Sequence, residues 1–247
     1  MFFKTKIAPH IPNLITLLNL ISGAIGLLLV FEGKIIWACF AIYIAAIFDF
    51  FDGFVARLLK TSSEMGKSLD SLADVISFGL LPSAIIYSII QQIILQTNPV
   101  HTIANASFIE ILLLASSLFV VAFSALRLAN FNVDERQKDG FIGLPTPANA
   151  ILISSFPFII AQSGTFASDL LLHLYVIIPL TVILSFLLVA EIPMMSFKFT
   201  NYKLRENIYR YLLVLIAVVC VFLWGVISVP IIFVFYILFS VLQKKAI

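Results

Sequence analysis

The chain has 247 residues, 62% of them hydrophobic and 11% charged, with a net charge of +2. A soluble domain is about 45–50% apolar, so this composition and the mean hydropathy of +1.11 exclude an ordinary soluble protein. So small a charge carries no footprint for nucleic acid, and what remains is an all-α, polytopic membrane protein, because a bilayer admits only segments that satisfy their own backbone hydrogen bonds.

A spanning helix needs ~20 mainly apolar residues. Eight stretches qualify or come close, at approximately 13–31, 35–59, 70–96, 108–131, 148–163, 169–190, 208–225 and 227–243. Lys4 and Lys6 precede the first of them, but no small-residue cleavage site follows and the apolar run is too long for a signal peptide, so it is read as a membrane helix. Its opening, PNLITLLNLISG, puts Pro12 at a helix start, where the missing N–H costs nothing, and sets Asn13, Thr16 and Asn19 on one stripe facing the bundle. Interhelical hydrogen bonding and ligand contact are both open for that stripe.

The second and third helices carry the chemistry. Asp49 and Asp52 lie three residues apart, and Asp70 and Asp74 four, so each pair projects from one helix face and two facing helices would converge all four carboxylates. An ionised Asp in a bilayer costs roughly 2.5–3.5 kcal/mol, so such a cluster calls for cations, and oxygen-only ligands suit Mg2+, Mn2+ or Ca2+ rather than zinc. Gly53 and Ala56 share the face of Asp49 and leave it without bulk, and Arg57 follows with a guanidinium shaped to grip phosphate. Together these describe a site for a metal-bound diphosphate. The linker Thr61–Glu64 reads as a cap for the third helix or a wrap around a nucleotide, Gly66 as a tight turn, and Lys67 and Ser68 as phosphate or base contacts, with a solvated loop Lys as the plain alternative. Ser77 and Gly79 are read as residues that ease helix packing.

A second polar island closes the fourth helix. Arg127 and Asn130 share a face and suit a small zwitterion, the guanidinium taking a carboxylate and the amide orienting an amine or hydroxyl; a snorkelling topology anchor is the alternative. Asp134 to Asp139 reads as a solvated loop of mixed charge, and GLPTPANA as a rigid turn from which Thr146 and Asn149 face the site. Further on, Lys198 lies in a basic interfacial connection and is assigned to a lipid phosphate, with attraction to anionic headgroups as the equal alternative. Cys39 and Cys220 fall in apolar helices and serve as small hydrophobes. Of the 15 Lys and Arg, all but Lys34 fall on one side of the predicted spans. The positive-inside rule puts that side, both termini and the carboxylates in the cytoplasm. Neither a linker nor an internal repeat divides the sequence, so residues 1–247 form one membrane domain.

The pattern Asp49-x2-Asp52-Gly53-x2-Ala56-Arg57-x8-Gly66-x3-Asp70-x3-Asp74 resembles the complete signature of the CDP-alcohol phosphatidyltransferases, with no position missing. Residues 11–23, 125–133 and 143–150 are similar to the phosphatidylserine synthase branch, and the last hundred residues resemble the family only loosely. The resemblance implies a six-helix catalytic core over 1–190 with an accessory helix pair over 191–247. It also implies transfer of a phosphatidyl group from CDP-diacylglycerol to L-serine with release of CMP, in the membrane of the cell, using Mg2+ or Mn2+, taken as two ions. Asp49, Asp52, Asp70 and Asp74 would be metal ligands, and Asp74 would also accept the proton of the serine hydroxyl. Arg57 would stabilise phosphate charge, Asn13, Thr16, Gly53, Ala56, Arg57, Gly66 and Ser68 would hold the nucleotide, and Arg127, Asn130 and Thr146 the serine. Membrane lipids are the other partners, and a homodimer is compatible with this reading. The rivals are another acceptor, such as glycerol phosphate or inositol phosphate, and a cation transporter built on the carboxylates, against which stands the lack of a second copy of the cluster.

Overall fold

The computed structural model describes residues 10–61, 63–97, 106–134, 141–195 and 203–245. Helix α1 (His10–Phe31) turns through Gly33, whose φ of +70° suits a residue without a side chain, into α2 (Ile35–Leu59), and the two pack along each other. Helix α3 (Glu64–Asp74) starts at Ser63, whose hydroxyl accepts from the Gly66 amide at 3.0 Å, as the capping reading expects. A π-helical turn, Val75–Leu80, joins α3 to α4 (Leu81–Thr97), so one continuous rod carries Asp70 and Asp74 into the protein.

Helix α5 (Phe108–Ala115) and α6 (Leu118–Val133) make one span, interrupted where the Ser116 and Ser117 hydroxyls donate back to the carbonyls of Leu113 and Leu114. Helix α7 (Thr146–Ala161), the short α8 (Phe166–Leu171) and α9 (Leu174–Val189) follow. Two short strands, β1 (Phe141–Ile142) before α7 and β2 (Pro193–Met194) after α9, pair antiparallel and tie those ends together. The C-terminal 40-residue apolar stretch would reach about 60 Å as one rod, twice a bilayer. Gly225, at φ +61°, divides it instead into α10 (Leu204–Trp224) and α11 (Val229–Lys245), joined by the 3-10 turn Gly225–Ser228 and packed on each other.

The protein is therefore a polytopic helical membrane protein, and every expected span has a helix. The two largest shifts are at the starts of the third and sixth spans. The third begins at Glu64 rather than 70, because Ser63 caps a polar first turn that hydropathy alone does not mark. The sixth begins at Leu174 rather than 169, because Thr165 caps a separate short helix ahead of it.

Among the long spans, the one from Glu64 to Gln96 is the central rod: 67% of an 18-residue apolar stretch of it is buried, against 17–33% for such stretches of the others. Ile85, Ile86, Ile89 and Ile90 fill its surroundings together with Ile42, Phe78 and Ile153. Leu28, Phe31 and Phe222 stand on the outer surface, as helices solvated by acyl chains require. The tightest crossing is between α1 and the π-helical turn. A Cβ on Gly23 would lie 2.4 Å from Ser77 Oγ and 2.8 Å from Ser77 Cα, so only glycine lets the two backbones meet. Ser77 uses that proximity to donate to the Asn19 carbonyl at 2.9 Å, more than a packing role. Gly23→Ala should therefore destabilise the protein by about 1–3 kcal/mol, read as a lower unfolding temperature in detergent. An unchanged temperature would show that the crossing is slack.

Candidate metal and substrate site

Three carboxylates converge in the space between α2 and α3, both of which are backed by α1. Asp49, Asp70 and Asp74 each offer an oxygen within 4.8 Å of the other two. The helical spacing explains this in part: Asp70 and Asp74 are one turn apart on α3, and α2 lays Asp49 against them. Asp52, expected with Asp49 and Asp70 among the firmest ligands, instead gives its place in the closest trio to Asp74; it is buried just beside the trio and accepts the Thr16 hydroxyl of α1 at 2.6 Å. Asp74 is buried and accepts the Asn19 amide at 3.1 Å. Thus the polar stripe of α1 does make interhelical hydrogen bonds, and it spends two of them on carboxylates.

The donor set fits a hard divalent cation. Three anionic groups this close repel one another unless a positive charge lies between them, their oxygens are the ligands such cations take, and Asp70 Oδ1 is buried with no hydrogen-bond partner.

Two cavities meet at this cluster. The larger, about 550 Å³, is lined by Asp49, Asp70 and Asp74 on one side and by Arg127, Phe131, Asn132, Asp134, Pro145 and Thr146 on the other, with Lys67 at its rim. Arg127 is only 6% exposed, a burial that argues against headgroup snorkelling. Its guanidinium packs over the Phe131 ring at 5.7 Å, Nη1 donates to Thr146 Oγ1 at 3.4 Å, and Nε has no hydrogen-bond partner. Asn132 Nδ2 donates to Ser71 Oγ at 2.8 Å and so links α6 to α3 at the cavity wall.

The smaller groove, about 120 Å³, is lined by Pro12, Asn13, Thr16, Asp52, Gly53, Ala56, Gly66 and Lys67. Asp70 and Lys67 border both spaces. Gly66 does not make the expected turn. It lies in the first turn of α3, where a Cβ would come 3.2 Å from Asn13 Oδ1, and its contribution is to let α3 close on the start of α1.

Asn13, Thr16, Gly53, Ala56 and Gly66 are thus gathered in one groove, and Arg127 and Thr146 in one cavity wall. Other predicted site residues stand apart. Arg57 is exposed and folds back over Gly53, where a Cβ would meet its Nη1 at 3.5 Å, on the groove's rim rather than its lining. Ser68 is exposed and donates to the Glu64 carbonyl at 3.0 Å. Asn130 lines a third cavity that shares Arg127 with the larger one. Asn149 is fully buried with both amide atoms unpartnered, and is not part of the larger cavity's lining. Lys198 lies outside the described residues. Among the polar lining residues, Ser71, Asn132 and Asp134 were not predicted as site residues. Ser71 follows Asp70 directly and Asn132 lies in the polar island, but nothing in their spacing separates a cavity wall from a helix end.

Fold and site together define an integral membrane protein with a cluster of carboxylates, suited to a cation, that opens beside a buried guanidinium. The chain belongs to the CDP-alcohol phosphatidyltransferase family, whose model matches residues 9–197. It is 30% identical over 234 residues to a CDP-diacylglycerol–serine O-phosphatidyltransferase of Helicobacter pylori, covering 94% of this chain and 90% of that one. It is also 39% identical over 150 residues to an archaetidylserine synthase of Methanothermobacter thermautotrophicus, covering 59% and 57% of the two chains. A third relative, a CDP-diacylglycerol–serine O-phosphatidyltransferase of Bacillus subtilis, is 35% identical over 151 residues, covering 60% and 77%. The family sets aside the ion transporter.

Proposed function

We propose that this protein transfers the phosphatidyl group of CDP-diacylglycerol to L-serine, giving phosphatidylserine and CMP. The observation that carries the reading is the larger cavity, in which the three-carboxylate cluster faces Arg127. The names of the relatives from Helicobacter pylori and Bacillus subtilis support it.

In this reading the groove of Asn13, Thr16, Gly53, Ala56 and Gly66 takes the cytidine end, with Arg57 closing over it from the rim. Asp49, Asp70 and Asp74 would hold Mg2+ or Mn2+, with Asp52 completing the set from the groove side, and an ion held there would supply neutralisation of charge on the diphosphate and on the departing CMP. Asp74 accepts the proton of the serine hydroxyl as its oxygen attacks the lipid-bearing phosphorus, and the bond from that phosphorus to CMP breaks. Asn19 keeps the Asp74 carboxylate turned toward the cavity. Arg127 takes the serine carboxylate, and Lys198 is assigned to the lipid phosphate. The basic asymmetry places the site on the cytoplasmic face, where serine is available. Residues 1–190 form the catalytic core and 191–247 an accessory pair.

Acceptors that carry their own phosphate are served less well, because the cavity offers Arg127 and, among its other described lining residues, only Lys67, which is already bonded to Glu64 at 2.9 Å. The test is purified protein with CDP-diacylglycerol and labelled serine, glycerol phosphate or inositol phosphate, each with Mg2+, Mn2+ or chelator. Metal-dependent labelling of lipid by serine is expected. Faster transfer to either phosphorylated alcohol would overturn the acceptor.

A further inference from the structure

A third cavity, about 230 Å³, lies where the C-terminal ends of α6 and α9 meet β1. Its polar residues are Arg127, Asn130, Asp134 and Glu191, set among Val133 and Leu188. Arg127, Val133 and Asp134 also line the larger cavity, so the two spaces adjoin across the guanidinium. Its walls are built rather than incidental. The Gly143 amide donates to the Ile192 carbonyl at 2.8 Å, and a Cβ on Gly143 would lie 2.4 Å from the Leu188 carbonyl oxygen. With φ at +79°, Gly143 is the residue that allows β1 to close on the end of α9 and hold the Glu191 segment opposite α6.

Two opposite charge types thus share one small space. Arg127 is buried with Nε unpartnered and Nη1 tied only weakly to Thr146 at 3.4 Å, so its donors are available to an anion. Asn130 is one turn further along the same face of α6. Asp134 and Glu191 come from different elements and supply the negative charge. A free α-amino acid carries a carboxylate and an ammonium on one carbon, and this cavity offers a group for each.

We propose that this third cavity is the subsite for the amino-acid head of the acceptor, in which Arg127 and Asn130 take the carboxylate while Asp134 and Glu191 take the ammonium. Serine then lies across the junction of the two cavities, with its hydroxyl directed toward the carboxylate cluster. The inference rests on serine being the acceptor and adds to it that the ammonium is read, and by which residues. The pair of acids also repels acceptors of net negative charge, which gives selection by rejection as well as by attraction.

The experiment compares serine with 3-hydroxypropionate, which keeps the hydroxyl and carboxylate but lacks the ammonium, in the unmodified enzyme and in Glu191→Gln and Asp134→Asn. Unmodified enzyme should prefer serine by roughly tenfold or more in kcat/KM, the scale of a charge-assisted hydrogen bond. Each variant should raise the serine KM about tenfold, shrink the preference for serine over 3-hydroxypropionate by a similar factor, and leave the KM for CDP-diacylglycerol within about twofold, a split that general damage to the fold would not produce. If the variants do not fold, the comparison in unmodified enzyme decides alone. Equal use of the two acceptors by unmodified enzyme, or a serine KM within twofold of the unmodified value in both folded variants, would overturn the subsite and leave the transferase reading intact. Failure of the unmodified enzyme to transfer to serine at all would overturn both.

Discussion

Asp70→Asn should abolish phosphatidyl transfer and weaken divalent-metal binding together. Asp70 borders both the groove and the larger cavity, stands within 4.8 Å of Asp49 and Asp74, and has one carboxylate oxygen buried without a partner. The amide keeps the shape but removes the charge that makes a hard cation stay. Even partners one step removed from a metal cost 10–100-fold when lost, so a direct ligand should cost more than about a hundredfold in turnover. Asp49→Asn should behave alike. Asp74→Asn should differ if Asp74 acts mainly as the group that accepts the serine proton: kcat should then fall by roughly 10²–10⁴-fold while Mn2+, still held by Asp49 and Asp70, binds with a smaller loss than in Asp70→Asn. Mn2+ titration by calorimetry alongside activity separates the cases. Near-normal activity of both Asp49→Asn and Asp70→Asn at saturating Mn2+ would remove the metal-site reading, and lost Mn2+ binding in Asp74→Asn would make that residue chiefly a ligand.

Arg127→Lys should raise the serine KM while the KM for CDP-diacylglycerol stays nearly constant. Lysine retains the positive charge but not the planar pair of donors that matches a carboxylate. It also gives up the stacking of the guanidinium over Phe131 and the bond to Thr146 that hold the head in place. A charge-assisted hydrogen bond is worth about 1.5–3 kcal/mol, which corresponds to roughly ten- to a hundredfold in kcat/KM for serine. Because Arg127 lines both the larger and the third cavity, a defect confined to serine is the result expected of an acceptor residue. Unchanged serine kinetics, or a defect that falls equally on the CDP-lipid, would show that Arg127 holds the bundle together instead of recognising the acceptor.

Much of this protein was legible before any fold was known. Long, continuously apolar stretches in a bilayer satisfy their backbone as helices, so the number and rough position of the spans could be read, although the starts of the third and sixth could not. The signature from Asp49 to Asp74 located the carboxylate cluster, because spacing along a helix fixes which side chains share a face. What spacing cannot set is how two helices are rotated and how closely they approach. That was decided by Gly23 against Ser77 and by Gly66 against Asn13, contacts between residues far apart in sequence. Those approaches bring Asn19 to Asp74 and Thr16 to Asp52, leave Asp49, Asp70 and Asp74 as the closest set, and put Ser68 outside the groove that its neighbour Lys67 borders. The same holds at the other island. Arg127 and Asn130 share a helix face in sequence, yet only the packing of α6 against α9 and the β1–β2 pair makes that face the wall of a cavity, with Asp134 and Glu191 beside it. The sequence by itself determined a membrane-embedded helical transferase and the neighbourhood of its carboxylates. The tertiary structure decided which of them face one another and what stands across from them, since those distances depend on side-chain volume at helix crossings rather than on the order of residues along any one helix.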